Sequence, residues 1–175
     1  GAFAPLASFA LFHMVTVFPL SWVFLFTNEG PARFLVIEAI GAMFGALAIV
    51  ASGILSDRIG RRRMLAGFAV VIAVFSGFAP QLLDAGFWGE LAYMIVGFVL
   101  LGFVFGQSSG AFAFRFGRVY RYTASAITSD FAWLFGAGFA PLVALGLSSQ
   151  FGIASSGAYL LSGAAVTLVA IYATG

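Results

Sequence analysis

The segment Gly53-Ile54-Leu55-Ser56-Asp57-Arg58-Ile59-Gly60-Arg61-Arg62-Arg63 is a short polar stretch wedged between two apolar runs, each long enough to span a lipid bilayer. Four guanidinium groups cannot stay in hydrocarbon, so the chain must return to water here. Glycines in the segment suit close packing and a sharp bend, and Asp57 sits among the arginines as the single acid. An arginine-rich turn of this kind belongs on the cytoplasmic side of a membrane. The segment therefore reads as a hinge between two transmembrane helices.

The rest of the chain agrees with that constraint. Of 175 residues, 62% are hydrophobic and only 8% charged, with a mean hydropathy of +1.09, so a soluble domain would have nowhere to hide its apolar surface. The 22 glycines and 22 phenylalanines suit helices that touch through small residues and turn rings toward lipid. Without cysteine there are no disulfides and no thiolate chemistry. The pI of about 9.4 does not indicate a nucleic-acid partner, because the net charge is only +2 and the arginines cluster between apolar runs as a topology signal. The opening Gly1 and the absence of a basic flank or cleavage site argue against a signal peptide and suggest a piece of a longer protein or an engineered half.

Six apolar runs set the expected fold, an all-α integral membrane bundle of six transmembrane helices. The spans are 3–26, 34–55, 64–83, 88–111, 122–147 and 154–173. Turns fall at Asn28-Glu29-Gly30-Pro31 and Ser148-Ser149-Gln150-Phe151-Gly152, while Pro80 and Asp84-Ala85-Gly86 close the third span. Arg58, Arg61, Arg62 and Arg63 mark the second connection and Arg115, Arg118 and Arg121 the fourth, so both are expected to be cytoplasmic. Arg33, Glu29, Asp84 and Glu90 are left for the outer face, and both termini then lie inside. Trp22 and Trp88 would anchor the outer boundary, and Tyr120, Tyr122 and Tyr172 the inner one. Gly41 and Gly45, and Gly102, Gly106 and Gly110, recur at a spacing of four, which reads as plain helix packing.

The turn, with the form G-x-L-x-D-R-x-G-R-R, resembles the loop signature of the major facilitator superfamily of secondary transporters. Arg121-Tyr122-Thr123-Ala124-Ser125 and Gly136-Ala137-Gly138-Phe139-Ala140-Pro141-Leu142 are similar to stretches in the C-terminal half of its metabolite:proton symporter branch. The likeness covers nearly the whole chain, as spans seven to twelve of a twelve-span parent. It implies half of a major facilitator fold, a 3+3 inverted repeat that faces a second half across a central cavity and works by alternating access. It also implies a bacterial inner membrane location. The chain departs from that branch at Phe114-Arg115-Phe116-Gly117-Arg118-Val119-Tyr120, where an acid and a proline are missing. That departure removes an acidic partner which, in the family, can pair with the arginine turn when the cytoplasmic side closes.

Ionisable groups at membrane depth require a partner, a wet cavity or a function. Asp130 lies eight residues into the fifth span, about 12 Å below its start at 1.5 Å per residue, and is a candidate for proton coupling. Trp133, three residues on, shares its face and could pack against substrate. His13, near the middle of the first span, is the second proton-coupling candidate. Each also has a bland reading: a carboxylate bonded to a neighbouring helix, an imidazole bonded to a helix carbonyl. Glu38, one turn inside the second span, can lean toward water or Arg33. Gly53, Asp57, Arg58, Gly60, Arg61 and Arg62 are assigned to conformational gating, with Asp57 capping the next helix or pairing with arginines.

In this transporter fold the first and fourth helices of each half line the cavity. Gln107, Ser108 and Ser109 in the fourth span, and Thr16 and Ser21 in the first, are hydrogen-bonding candidates for that lining, although such hydroxyls often bond their own helix. Pro19 and Pro141 can bend helices beside the cavity. One histidine, no cysteine and six carboxylates form no metal cluster, activated nucleophile or phosphate loop, so no enzyme and no cofactor is expected. The expected partners are the bilayer, a small metabolite with protons, and a second six-helix half or a second copy. The competing expectations are a non-transporting membrane scaffold and, further off, a channel-like oligomer.

Overall fold

The computed structural model describes residues 6–27, 30–108, 120–134 and 138–173, and among these only helices and turns occur. In chain order they are α1 (Leu6–Thr16), α2 (Phe18–Phe26), α3 (Pro31–Ile59), α4 (Arg61–Leu83), α5 (Gly86–Ser108), α6 (Arg121–Trp133), α7 (Ala140–Phe151) and α8 (Ala154–Ala173). Taking α1 and α2 as one span, five helices are long and apolar enough to cross a membrane: Leu6–Phe26, Pro31–Ile59, Arg61–Leu83, Gly86–Gln107 and Ala154–Ala173. The stretch expected as a fifth span, 122–147, falls into α6 and α7 on either side of the residues outside the description.

Local sequence sets the boundaries. Pro31 opens α3 immediately after Gly30, where its missing N–H costs nothing. The reversal between α3 and α4 is Gly60 alone, at φ +86° and ψ 138°, a backbone geometry that a side chain resists. The hinge is thus shorter than the polar segment, because Gly53 through Ile59 remain helical and Arg61 already belongs to α4. Pro80 does not end its helix. α4 continues through it to Leu83, and Pro80 instead joins the α4–α8 contact, where a Cβ on Gly157 would meet the Ser76 carbonyl and lie 3.1 Å from Pro80 Cγ.

The tightest contact runs along α3 and α5. A Cβ on Gly102 would run into the Gly45 carbonyl oxygen and sit 2.8 Å from the Ala48 Cβ. One on Gly41 would lie 2.8 Å from Phe98 Cδ2, and one on Gly106 2.6 Å from Ser52 Oγ. Lipid tails are as apolar as side chains, so helices in a membrane associate by close van der Waals contact, and these glycines allow the backbones to touch. Packing is therefore what the spacing of four encodes. α1 runs through the interior: Leu11 and Val15 are wholly buried, and the Ala7 N–H donates to Thr167 Oγ1 of α8 at 2.8 Å. Tyr93 Oη of α5 donates to the Met14 carbonyl. The opposite face of α3 is apolar yet open, with Met43, Leu47 and Val50 each about 70% exposed, as expected of a surface that meets lipid or another protein.

Candidate substrate and coupling site

The first span is interrupted at Val17, between α1 and α2. Pro19 follows and lacks an N–H, which deprives the Val15 carbonyl of its usual donor. The ladder continues around it through Val17 N–H to the His13 carbonyl and Ser21 N–H to the Val17 carbonyl, both 3.1 Å. The hydroxyls of Thr16 and Ser21 bond back to the Phe12 and Val17 carbonyls at 2.7 and 2.8 Å, the behaviour of Ser and Thr that bends helices. α6 runs to Trp133, with the Leu134 N–H shared between the Asp130 and Phe131 carbonyls, and α7 begins at Ala140 with Pro141 in its first turn, residues 135–137 lying outside the described residues. The ionisable candidates His13 and Asp130 sit on α1 and α6.

Trp133 docks α6 onto the body of the bundle. Its ring centre lies 4.8 Å from Phe9, 5.3 Å from Phe12, 6.0 Å from His13 and 6.4 Å from Phe105. His13 and Trp133 are thereby brought together, and His13 Nδ1 is buried without a hydrogen-bond partner. Asp130, one turn earlier on α6, is exposed on the surface of the bundle and forms no ion pair among the described residues. An apolar recess of about 230 Å³ adjoins this cluster, sharing Phe12 and Phe105 and running past Gly45, Ile49, Phe98 and Gly102.

Other sequence candidates lie elsewhere. Gln107 is buried in the α3–α5 seam, where its Nε2 donates to Ser52 Oγ at 3.2 Å. At the arginine turn, α4 begins without a side-chain cap. Asp57 therefore does not cap it, since α3 extends to Ile59 and leaves Asp57 in its last turn. Gly53 has open space around the position of a Cβ and serves no internal contact. Arg62 does have a clear partner: its Nη2 donates to the Ile171 carbonyl at 2.7 Å, placing a cation on the negative end of α8. Arg115, Arg118, Phe114, Glu29, Ser109 and Gly136 lie outside the described residues.

Sequence reasoning missed Glu90. Expected on an outer connection, it is 4% exposed within α5, and its Oε2 lies 3.9 Å from Arg33 Nη2. Arg33 also stacks 5.1 Å above the Phe87 ring, so it turns to α5 rather than to Glu38 on its own helix. The available signal was Glu90's place three residues inside a predicted span.

Comparison with known proteins then fixes the family. The inner membrane metabolite transport protein YhjE of Escherichia coli is 30% identical over 99% of the chain. The chain belongs to the major facilitator superfamily. Two Haemophilus influenzae proteins described as candidate metabolite transport proteins are 27% identical over 99% and 31% identical over 81% of it. These relatives are of the major facilitator type, and the chain corresponds to a C-terminal half. It spans 41%, 42% and 32% of their respective lengths. No protein-family profile and no solved structure matches it. The major facilitator chain described here is an integral membrane protein built of apolar helices.

Proposed function

We propose that the chain forms one six-span, 3+3 half of a proton-coupled symporter for a small metabolite, and that it works by alternating access against a second half or a second copy. The observation that carries this reading is the junction of α1 and α6, where His13 meets Trp133 and Asp130 stands on the open surface. The Val15 carbonyl, deprived of its donor by Pro19, is a backbone group at membrane depth that a wet cavity or a ligand can satisfy. A carboxylate on that surface faces either lipid, at a cost of a few kcal/mol on insertion scales, or a cavity shared with the missing wall. The cavity is the cheaper arrangement.

In this reading Asp130 takes up a proton from one side and releases it to the other, His13 passes protons or orients the substrate, and Trp133 with Thr16 forms the wall. Gln107, though a candidate for that wall, stiffens the α3–α5 seam behind it. The Gly53–Arg62 turn controls the change of state. Arg62 ties α4 to α8 so that the two move together, and Asp57, Arg58 and Arg61 engage the partner half. The protein resides in the bacterial inner membrane, as the name of the Escherichia coli relative states for that protein, with both termini cytoplasmic.

Proteoliposomes containing the chain with its complementary half test the proposal. An imposed proton gradient should drive uptake of one member of a panel of labelled small metabolites, and Asp130→Asn should abolish it. Undiminished uptake in that variant removes Asp130 from the mechanism.

A further inference from the structure

The apolar recess beside the aromatic cluster is framed by two helical faces of the same period. On α3 its lining residues are Ala42, Gly45, Ala46 and Ile49, at i, i+3, i+4 and i+7. On α5 the same spacing recurs from Phe98 to Phe105, and Phe12 of α1 completes the lining. Seven rises of about 1.5 Å give each lined stretch a length of about 10 Å. The α3 face contributes mostly small side chains, which leave the room, and the rings come from α5 and α1. Where the two faces touch, a Cβ on Gly102 would meet the Gly45 carbonyl, so the recess stands on the tightest contact of the bundle and is preformed. Its volume of about 230 Å³ exceeds the roughly 150 Å³ in which a dry apolar cavity admits benzene.

Phe12, Phe98 and Phe105 offer faces and edges to a further ring, in the offset and T-shaped geometries that aromatic pairs prefer. A phospholipid chain fits less well. Half of the hydrocarbon layer is about 15 Å thick, longer than the recess, and such a chain brings no polar atom to mid-depth. A polar atom is wanted there, because the His13 ring centre lies 5.3 Å from that of Phe12 and its Nδ1 is buried without a partner. Trp133 touches both rings, at 6.0 and 5.3 Å, and holds the two halves of the pocket together. A neutral imidazole nitrogen either donates or accepts, and a hydroxyl answers both. A polyol or a dicarboxylate, by contrast, would set its polar groups against carbon. We infer that the recess receives the aromatic ring of a small neutral substrate whose hydroxyl, on a short arm, bonds His13 Nδ1. This rests on the reading of the α1–α6 junction as the substrate site, and it names the class of metabolite taken there, an aromatic alcohol.

With 4-fluorobenzyl alcohol as probe, broadening of its fluorine resonance by the purified chain in nanodiscs, less that by empty nanodiscs, measures binding. The parent should bind it saturably. Ala46→Trp should weaken binding at least about tenfold, since Ala46 is exposed at the recess and the large side chain covers it without entering the core. Should that variant fail to fold, Ala42→Leu, at an equally exposed lining position, takes its place. His13→Phe should lose about tenfold for the alcohol, as for one hydrogen bond, and nothing for fluorobenzene, which lacks the hydroxyl. Met43→Trp, on the open face next to the recess but outside its lining, should bind as the parent does. The inference is overturned if the parent shows no saturable binding, if Ala46→Trp binds as well as the parent, if His13→Phe leaves the affinity for the alcohol unchanged, or if Met43→Trp weakens it as much as Ala46→Trp. Binding that tightens about tenfold in micelles free of phospholipid would assign the recess to a lipid chain and overturn it too. Binding to the purified chain needs no second half, so its failure leaves Asp130-dependent uptake standing, and failure of uptake with binding intact removes transport but not the recess.

Discussion

The α3–α5 seam and the α1–α6 junction solve the same problem, two helices meeting inside a membrane, in opposite ways. Along the seam both helices are continuous, glycines bring backbones into contact, and the polar pair Gln107 with Ser52 is buried. At the junction α1 gives way to α2 at Val17, large rings fill the contact, and His13 Nδ1 lacks a partner. A surface packed backbone to backbone has one good arrangement and resists sliding. A contact made by large rings has several, and its unfilled hydrogen-bonding capacity can be met by a ligand. On the proposed function, the seam is the frame and the junction the moving, binding part.

Substitutions can break that contrast. The largest effect is expected from Gly102→Val, whose new side chain would collide with the Gly45 carbonyl; overpacking of this kind costs about 3 kcal/mol. Reversible unfolding in mixed micelles should show that loss, and a near-parental stability would mean that the seam is not tight. Next comes Ser52→Ala, which leaves the buried Gln107 amide unpaired at a cost of about 2 kcal/mol by the same measurement. Arg62→Gln should cost about 1 kcal/mol, the charge-assisted bond to the Ile171 carbonyl being partly open to solvent. The smallest effect has the opposite sign: Gly53→Ala, in a helix with room for the methyl group, should stabilise the chain by about 0.7 kcal/mol. If the same change slows transport, Gly53 serves the partner half rather than this one.

Much of the frame could be read from the sequence because its signals are local. Apolar runs longer than a bilayer is thick, separated by Gly60, by Asp84-Ala85-Gly86 and by Gly152, mark the ends of α3, α4, α5, α7 and α8 without any knowledge of packing. The spacing of Gly41, Gly45, Gly102 and Gly106 gave the seam its faces for the same reason. What stayed hidden depends on neighbours distant in sequence. Glu90 meets Arg33 because α3 and α5 run side by side, and its place inside a predicted span hinted at burial without naming that partner. Gln107 looked like a cavity residue until Ser52, 55 positions away, took its amide. Asp57 was read as a cap because the length of α3 could not be judged from a polar segment that remains helical to Ile59.

The central claim is that the exposed face of α6 borders a wet cavity shared with a second half. The chain contains no cysteine, so a single one introduced by Asp130→Cys can be probed with a membrane-impermeant maleimide in proteoliposomes carrying both halves. The account predicts rapid labelling from one side that slows when transported substrate is present, while Leu47→Cys on the apolar face of α3 stays unlabelled. If the cysteine at 130 is as inert as the one at 47, α6 faces lipid and the cavity does not exist.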